Sequence, residues 1–226
     1  MTSEPTLAET VALLVFDPET GDRSTAAEAS LVEILGPIGA ALLIELLDAG
    51  SATLEERAPR LGQQREPVVV ASGPRPVDPV LAAAFDHLAG ARKPLSLTSA
   101  INGLGGAVRL NERFVDAGLT EPGRRPADAR LTALGLEVAR AVRAPLDRHL
   151  VRGATDDTAT TRTHTLSSLV TAGHLWQLVR ELADRNPVVA TDESGADDAS
   201  TLPPGFGPQR QVVLRRLREL GSPFVG

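Results

Sequence analysis

One glycine-rich stretch has residues that could bind phosphate. Gly103-Leu-Gly-Gly-Ala-Val108 begins like the Gly-x-Gly-x-x-Gly loop that holds the phosphates of dinucleotides. Val108 replaces the last glycine of that motif, and the stretch follows a helical pattern, whereas the loop follows a strand. We therefore interpret it as a junction between helices and expect no nucleotide site.

Metal binding and acid–base catalysis require histidine or carboxylate side chains that converge. The four histidines are His87, His149, His164 and His174. No two of them stand four residues apart, the spacing that places two ligands on one helix face. The acidic stretch 192–198 lacks the alternating oxygen ligands of a calcium loop. Because the sequence also lacks a Gly-x-Ser-x-Gly nucleophile motif and the lysine-containing phosphate loop, we expect no catalytic residue, no metal and no cofactor.

Arginine residues form two clusters that could bind an anion. Arg109 and Arg113 stand four residues apart, which places them on one face of a predicted helix, and Arg124 and Arg125 follow in the next loop. We predict these four as a lipid- or anion-binding site. The second cluster lies on the polar face of the last predicted helix, 209–220, and a basic amphipathic helix can bind an anionic membrane. The alternative for both clusters is an ordinary solvated helix face.

Charge is unevenly distributed along the 226 residues, whose net charge is −6. Residues 1–56 carry eleven acids against one base, Arg23, whereas residues 107–152 carry nine arginines against six acids. This asymmetry indicates either one anion-facing side or acidic segments that pack beside basic ones. Helices and a basic loop in 97–135 loosely resemble a winged helix, but a pI of about 5.3 argues against nucleic acid as a partner.

Composition also limits the compartment and the relation to a membrane. Without cysteine, the chain fits a reducing compartment, and its N-terminus lacks the basic region of a secretory signal. The longest apolar stretch, 38–47, is far shorter than the roughly 20 residues of a membrane span. We expect a cytoplasmic protein with no transmembrane segment. A single lysine among abundant Arg, Ala, Gly and Pro is typical of a GC-rich bacterial genome.

Hydrophobic residues make up 42% of the chain but aromatic residues only 3%, so the core must be aliphatic, which favours helices. We predict a mainly α protein: a single globular helical domain with one or two short β segments or a hairpin. The domain is expected over residues 1–185. A flexible acidic and then Pro/Gly-rich loop is expected over 186–208, and an amphipathic helix over 209–226 that packs on the same domain.

Apolar residues recur at helical spacing in segments that we predict to be helices: 7–16, 26–49, 78–90, 97–117, 131–142, 166–179 and 209–220. Pro37 predicts two helices or a kink within its segment, and Pro145 predicts a disturbed helix. The glycines of 103–106 predict a division of their segment into two helices. We predict a strand at 68–70 and a mobile loop at 153–164.

The order and spacing of four segments resemble the Golgi phosphoprotein 3 family over residues 6–150. The segments are the opening helix and turn 7–21, the small-residue entry into Leu-Ile-Glu-Leu at 39–50, the helix entry at 76–81, and the helix end at 113–119. The resemblance implies a largely helical, non-enzymatic peripheral membrane protein that binds phosphatidylinositol 4-phosphate or another anionic lipid headgroup. In eukaryotes, the family sorts Golgi enzymes.

The family's lipid pocket uses one tryptophan and three arginines, and this sequence departs at all four positions. The tryptophan would fall near Ser30, and the arginines at Gly39, near Leu104 and near Ala107. A polar loop at 120–130 stands where the family has an apolar hairpin that inserts into the membrane. The alternative function is therefore a protein-interaction scaffold that has lost lipid binding, with an unknown protein as its partner.

Overall fold

A computed structural model describes residues 4–23, 31–56, 66–124, 128–152, 160–173, 175 and 207–221. Its helices are α1 Leu7–Leu13, α2 Leu31–Asp48, α3 Pro79–Ala89, α4 Leu97–Ala107, α5 Leu110–Asp116, α6 Ala133–Arg152, α7 Thr161–Ala172 and α8 Pro208–Gly221. The strands are β1 Ala52–Glu55, β2 Val68–Ala71 and β3 Leu95–Ser96. The predicted mainly α class with short β segments is confirmed.

The strands form one small antiparallel sheet in the order β1-β2-β3. Thr53 lies opposite Val70, and Val69 lies opposite Leu95. The prediction of a strand at 68–70 is confirmed, whereas β1 and β3 were missed. Both are short and only partly buried, so they lack the clear alternation that marks a strand.

Helix α2 is the centre of the core, with Leu42, Leu43, Ile44 and Leu46 fully buried. It contacts α1, α3, α4, α7 and α8. Of the two alternatives predicted at Pro37, two helices or a kink, the division into two helices is wrong, because α2 continues through this residue. An interior proline costs about 3 kcal/mol, and we attribute the continuity to burial of the apolar turns on both sides of it.

Side-chain caps and positive-φ glycines set several helix ends where the sequence placed them. The Asp78 carboxylate accepts hydrogen bonds from the backbone N–H groups of Val80 and Leu81 at the start of α3. Gly50 follows α2 with φ 67°, and Gly118 follows α5 with φ 70°, a conformation that favours glycine. Residues 97–117 form two helices as predicted, but the division falls at Val108–Arg109 and the glycines lie inside α4.

The C-terminal part differs from expectation at the ends of two helices. Helix α6 continues through Pro145, and α7 begins at Thr161 after a cap by Thr160, so the loop predicted up to residue 164 ends earlier. Helix α8 buries Val213, Leu214 and Leu217 against α2, α4 and α7, while Leu220 is 39% exposed. Residues 153–159 and 176–206, where further predictions fall, lie outside the described residues.

Candidate functional site

A cleft of about 500 Å³ lies among α1, α2, α4 and α5. Its floor is apolar and includes Val15, Phe16, Ile34, Leu35, Ile38 and Val108. Its polar side chains belong to Arg23, Arg109, Asn111 and Glu112. A largely apolar concavity with a few polar groups is the usual form of a ligand site. Among the described residues that line the cleft, two arginines and one carboxylate carry charge, a balance that suits an anion.

Arg109 is an exposed charge at the edge of this cleft. It precedes α5, and its Nη1 donates a hydrogen bond to Glu112 Oε1 at 2.8 Å. The side chains of Arg109 and Glu112 are 77% and 65% exposed. Exposed pairs of this kind contribute at most about 1 kcal/mol, so an anionic ligand can replace Glu112 as the partner of Arg109.

Arg23 reaches the cleft because the chain reverses direction after α1. Asp17 Oδ1 accepts hydrogen bonds from the backbone N–H groups of Glu19 and Thr20, and Gly21 has φ 75°, so residues 17–21 form the predicted turn. A β-bridge then pairs Arg23 with Phe16. Arg23 is the only base among residues 1–56, a sequence signal that distinguishes it from its acidic neighbours.

Arg113, by contrast, stabilises the contact between α5 and α1. Its Nε lies 3.2 Å from Oε1 of Glu9, a carboxylate that is only 4% exposed. Glu9 also accepts a hydrogen bond from the Thr6 backbone N–H and forms a capping box with that residue. The Arg113 guanidinium therefore neutralises a buried charge in the fold.

Replacing Arg113 with methionine is expected to lower the free energy of unfolding by about 2 kcal/mol, because Glu9 would stay buried without its cation. The double variant Arg113→Met, Glu9→Gln should recover most of that loss. Urea denaturation of the three proteins measures both effects. Equal stability of the wild type and the single variant would contradict this role for Arg113.

The other two predicted site residues, Arg124 and Arg125, follow α5 in the sequence. Arg124 Nε lies 2.6 Å from Glu121 Oε2, and both side chains are exposed. Arg125 lies outside the described residues. Of the three predicted arginines that the structure describes, Arg109 lines the cleft, Arg113 binds Glu9, and Arg124 pairs within its own loop.

The charge asymmetry of the sequence corresponds to pairing between distant segments. Acids of the N-terminal part pair with arginines of later elements in Arg113–Glu9, Arg130–Asp22 and Arg210–Asp48. Arg216 of α8 donates a hydrogen bond to Thr98 and also contacts Glu66. Arg210 and Arg216, two arginines of α8, therefore bind other residues of this protein. This favours acidic segments that pack beside basic ones over a single anion-facing side as the reason for the charge asymmetry.

The side chain of Glu45 connects two of the helices around the cleft, α1 and α2. Glu45 Oε1 accepts a hydrogen bond from the Leu7 backbone N–H at 2.8 Å, while its Oε2 is buried with no hydrogen-bond partner among the described residues. Burial raises the pKa of Glu45 to about 7, although the backbone N–H groups and the charge of Arg162 act in the opposite direction. This glutamate therefore changes its protonation state near neutral pH.

Comparison with known proteins identifies the family. The model of the Golgi phosphoprotein 3 (GPP34) family matches residues 7–201, which include the helices around the cleft. The chain belongs to the Golgi phosphoprotein 3 family. No curated protein matches the chain. Among the described residues of this Golgi phosphoprotein 3 family member, no helix is long and apolar enough to cross a bilayer.

The Golgi phosphoprotein 3 pocket positions inferred from the resemblance are closed or apolar here. A Cβ at Gly39 would lie 1.8 Å from the backbone oxygen of Ile101, so a side chain at this position conflicts with α4. Leu104 is fully buried in the core. Ala107 is exposed but carries no polar group, and Ser30 lies outside the described residues. Packing between α2 and α4 thus occupies space that a pocket arginine would need.

Proposed function

We propose that this Golgi phosphoprotein 3 family member is a non-enzymatic peripheral membrane protein that binds an anionic lipid headgroup at the cleft. The observation that supports the proposal is an apolar floor that adjoins two arginines, Arg23 and Arg109, and one acid, Glu112, among the described residues that line the cleft. The family is not known as an enzyme family, which supports a binding role. Arg109 replaces the sequence-predicted cluster as its central residue, and Arg124 and Arg125 remain predictions as secondary contacts.

The charged side chains of the cleft suit recognition of a lipid by its negative charge, without selection for the shape of the headgroup. A guanidinium donates to phosphate through two parallel N–H groups, whereas its present partner, Glu112, makes an exposed pair of little stability. With the family's pocket positions occupied by Gly39, Leu104 and Ala107, no further cation is available from those positions. We therefore expect general recognition of anionic lipid, phosphatidylinositol 4-phosphate included, without selection among headgroups of equal charge.

Co-sedimentation with vesicles tests this proposal. The protein is expected to bind phosphatidylcholine vesicles that contain phosphatidylglycerol or phosphatidylinositol 4-phosphate, and to leave pure phosphatidylcholine vesicles unbound. At matched surface charge, the two anionic lipids should give similar affinities. Binding should weaken strongly between about 0.05 and 0.5 M salt, since exposed charges are screened. No binding at low salt, or binding indifferent to salt, would overturn the proposal.

A protein-interaction scaffold is the second candidate, and the contact at Gly39 favours it. If the α2–α4 packing has replaced the pocket, the fold remains while the family's lipid chemistry is lost. Affinity capture from a native lysate, followed by analytical ultracentrifugation with the purified partner, would test this function. A stoichiometric complex formed by a protein that ignores anionic vesicles would support the scaffold, and a chain that stays alone and monomeric would count against it.

A further inference from the structure

The cleft is larger and more apolar than a headgroup requires. A phosphate needs hydrogen-bond donors on several sides, but the floor consists of aliphatic side chains and Phe16. Leu35, which also lines the cleft, is one of the few large hydrophobic residues that are exposed in the described part of the chain, at 38%. Filling the cleft with polar atoms alone would leave them without partners, so an occupant that fits it must carry an apolar part next to its anion.

Gly106, an exposed residue near the end of α4, has no side chain to fill the cleft that it lines. Gly106 lines the cleft, and a Cβ added there would have no atom within 4 Å. It lies inside α4, where glycine costs about 1 kcal/mol relative to alanine. Its neighbour Gly105 is different, because a Cβ there would lie 2.1 Å from the backbone oxygen of Leu35. Packing therefore explains Gly105, whereas Gly106 contributes only open volume.

We propose that the cleft takes one acyl chain of the anionic lipid, with the headgroup at Arg109 and Arg23 and the chain along Phe16, Ile34, Ile38 and Val108. The inference rests on the proposed headgroup binding and adds the apolar half of the ligand. The charged edge and the apolar floor match the two parts of an amphiphile. Each methylene buried in such a site should strengthen binding about twofold to fourfold, the upper value corresponding to full removal from water.

Isothermal titration with a series of lysophosphatidic acids, each below its micelle concentration, tests the chain site. Affinity is expected to rise with each methylene and to level off once the cleft is filled, while glycerol 3-phosphate should bind far more weakly. Gly106→Leu should remove the dependence on chain length, because its side chain would occupy the cleft. The control Gly106→Ala adds only one methyl group and should retain most of the dependence on chain length.

The outcomes separate the chain site from the headgroup function. Vesicle binding without any dependence on lysolipid chain length would overturn the acyl-chain site and leave the headgroup proposal intact. Failure to bind either vesicles or lysolipids would overturn both. An unchanged chain-length dependence in Gly106→Leu would place the acyl chain elsewhere and so contradict the inference. A wild-type dimer in sedimentation that Gly106→Leu dissociates would make a second copy the occupant, which also overturns it.

Discussion

Replacing Gly39 with alanine is expected to lower the free energy of unfolding by about 3 kcal/mol or more, a large effect for the addition of one methyl group. The new Cβ would lie 1.8 Å from the oxygen and 2.8 Å from the carbon of the Ile101 carbonyl. Both atoms are backbone, so no side-chain rotation relieves the contact and α4 must move away from α2. Overpacking in a core costs about 1–3 kcal/mol even where side chains can adjust.

Urea denaturation of Gly39→Ala measures the loss, and Gly106→Ala is the matched control. Both glycines lie inside helices, but Gly106 has open space around the added Cβ. The control should therefore keep or gain stability, by up to about 1 kcal/mol from the better helix propensity of alanine. A Gly39→Ala protein as stable as the wild type would show that the α2–α4 contact is loose, and would reopen position 39 to a longer side chain.

The same geometry predicts that reintroducing the family's arginine at position 39 would not restore its lipid pocket. The obstacle is the backbone of Ile101, which a substitution at position 39 leaves in place. The same holds from the side of α4, because a Cβ at Gly105 would lie 2.1 Å from the backbone oxygen of Leu35 in α2. Helices α2 and α4 therefore lie so close together that the backbone of α4 leaves no room for a side chain at position 39.

The second large effect is a pH dependence of stability caused by Glu45. Burial raises the pKa of Glu45 from 4.5 to about 7. Between pH 4.5 and pH 7, Glu45 is therefore protonated in the folded protein and ionised in the unfolded chain. The contribution of Glu45 to the free energy of unfolding is greatest below pH 4.5 and is lost as the pH rises towards 7. A shift of this size corresponds to about 3 kcal/mol. The charged groups near Glu45 are Arg162, which favours ionisation, and Asp78, which opposes it.

Glu45→Gln should remove this dependence, because the amide stays neutral and its oxygen can still accept the Leu7 N–H. The difference in unfolding free energy between variant and wild type is expected to be near zero at pH 4.5 and to favour the variant by up to about 3 kcal/mol at pH 8. Urea midpoints at the two pH values measure it, with the exposed Glu137→Gln as control. A difference that does not change with pH would contradict the assignment to Glu45.

Local signals predicted the C-terminal ends of α2, α3 and α5 to within one residue, and failed where long-range packing decides. Gly21, Gly50 and Gly118 adopt the positive φ that turns and helix ends require, and only local chemistry is needed to expect this. At Pro37 the local rule was overridden, because most of the surface of α2 is buried against other helices. Strand β3 has only two residues, and β1, Ala-Thr-Leu-Glu, lacks the run of valines that marked β2; both pair with β2.

The candidate site was predicted only in part, for a geometrical reason. The spacing of Arg109 and Arg113 indicated one shared helix face, but Arg109 precedes α5 with φ −84° and ψ 67° and so lies outside the helix. Arg113 meets Glu9, 104 residues away in the sequence, a contact that no spacing rule predicts. Arg23 joins the cleft through a turn and a β-bridge, so its proximity to α5 is a property of the fold.

The affinity of charge variants for anionic vesicles tests the central claim most directly, namely that the cleft binds anionic lipid through Arg109. On phosphatidylglycerol vesicles at low salt, Arg109→Gln should weaken binding about fivefold, close to 1 kcal/mol per cation. Glu112→Gln should strengthen it severalfold, since it removes the opposing acid. The control Arg75→Gln, from an exposed Arg75–Asp86 pair that does not line the cleft, separates local from overall charge. Equal weakening by Arg75→Gln and Arg109→Gln, or no effect of either cleft variant, would contradict the claim.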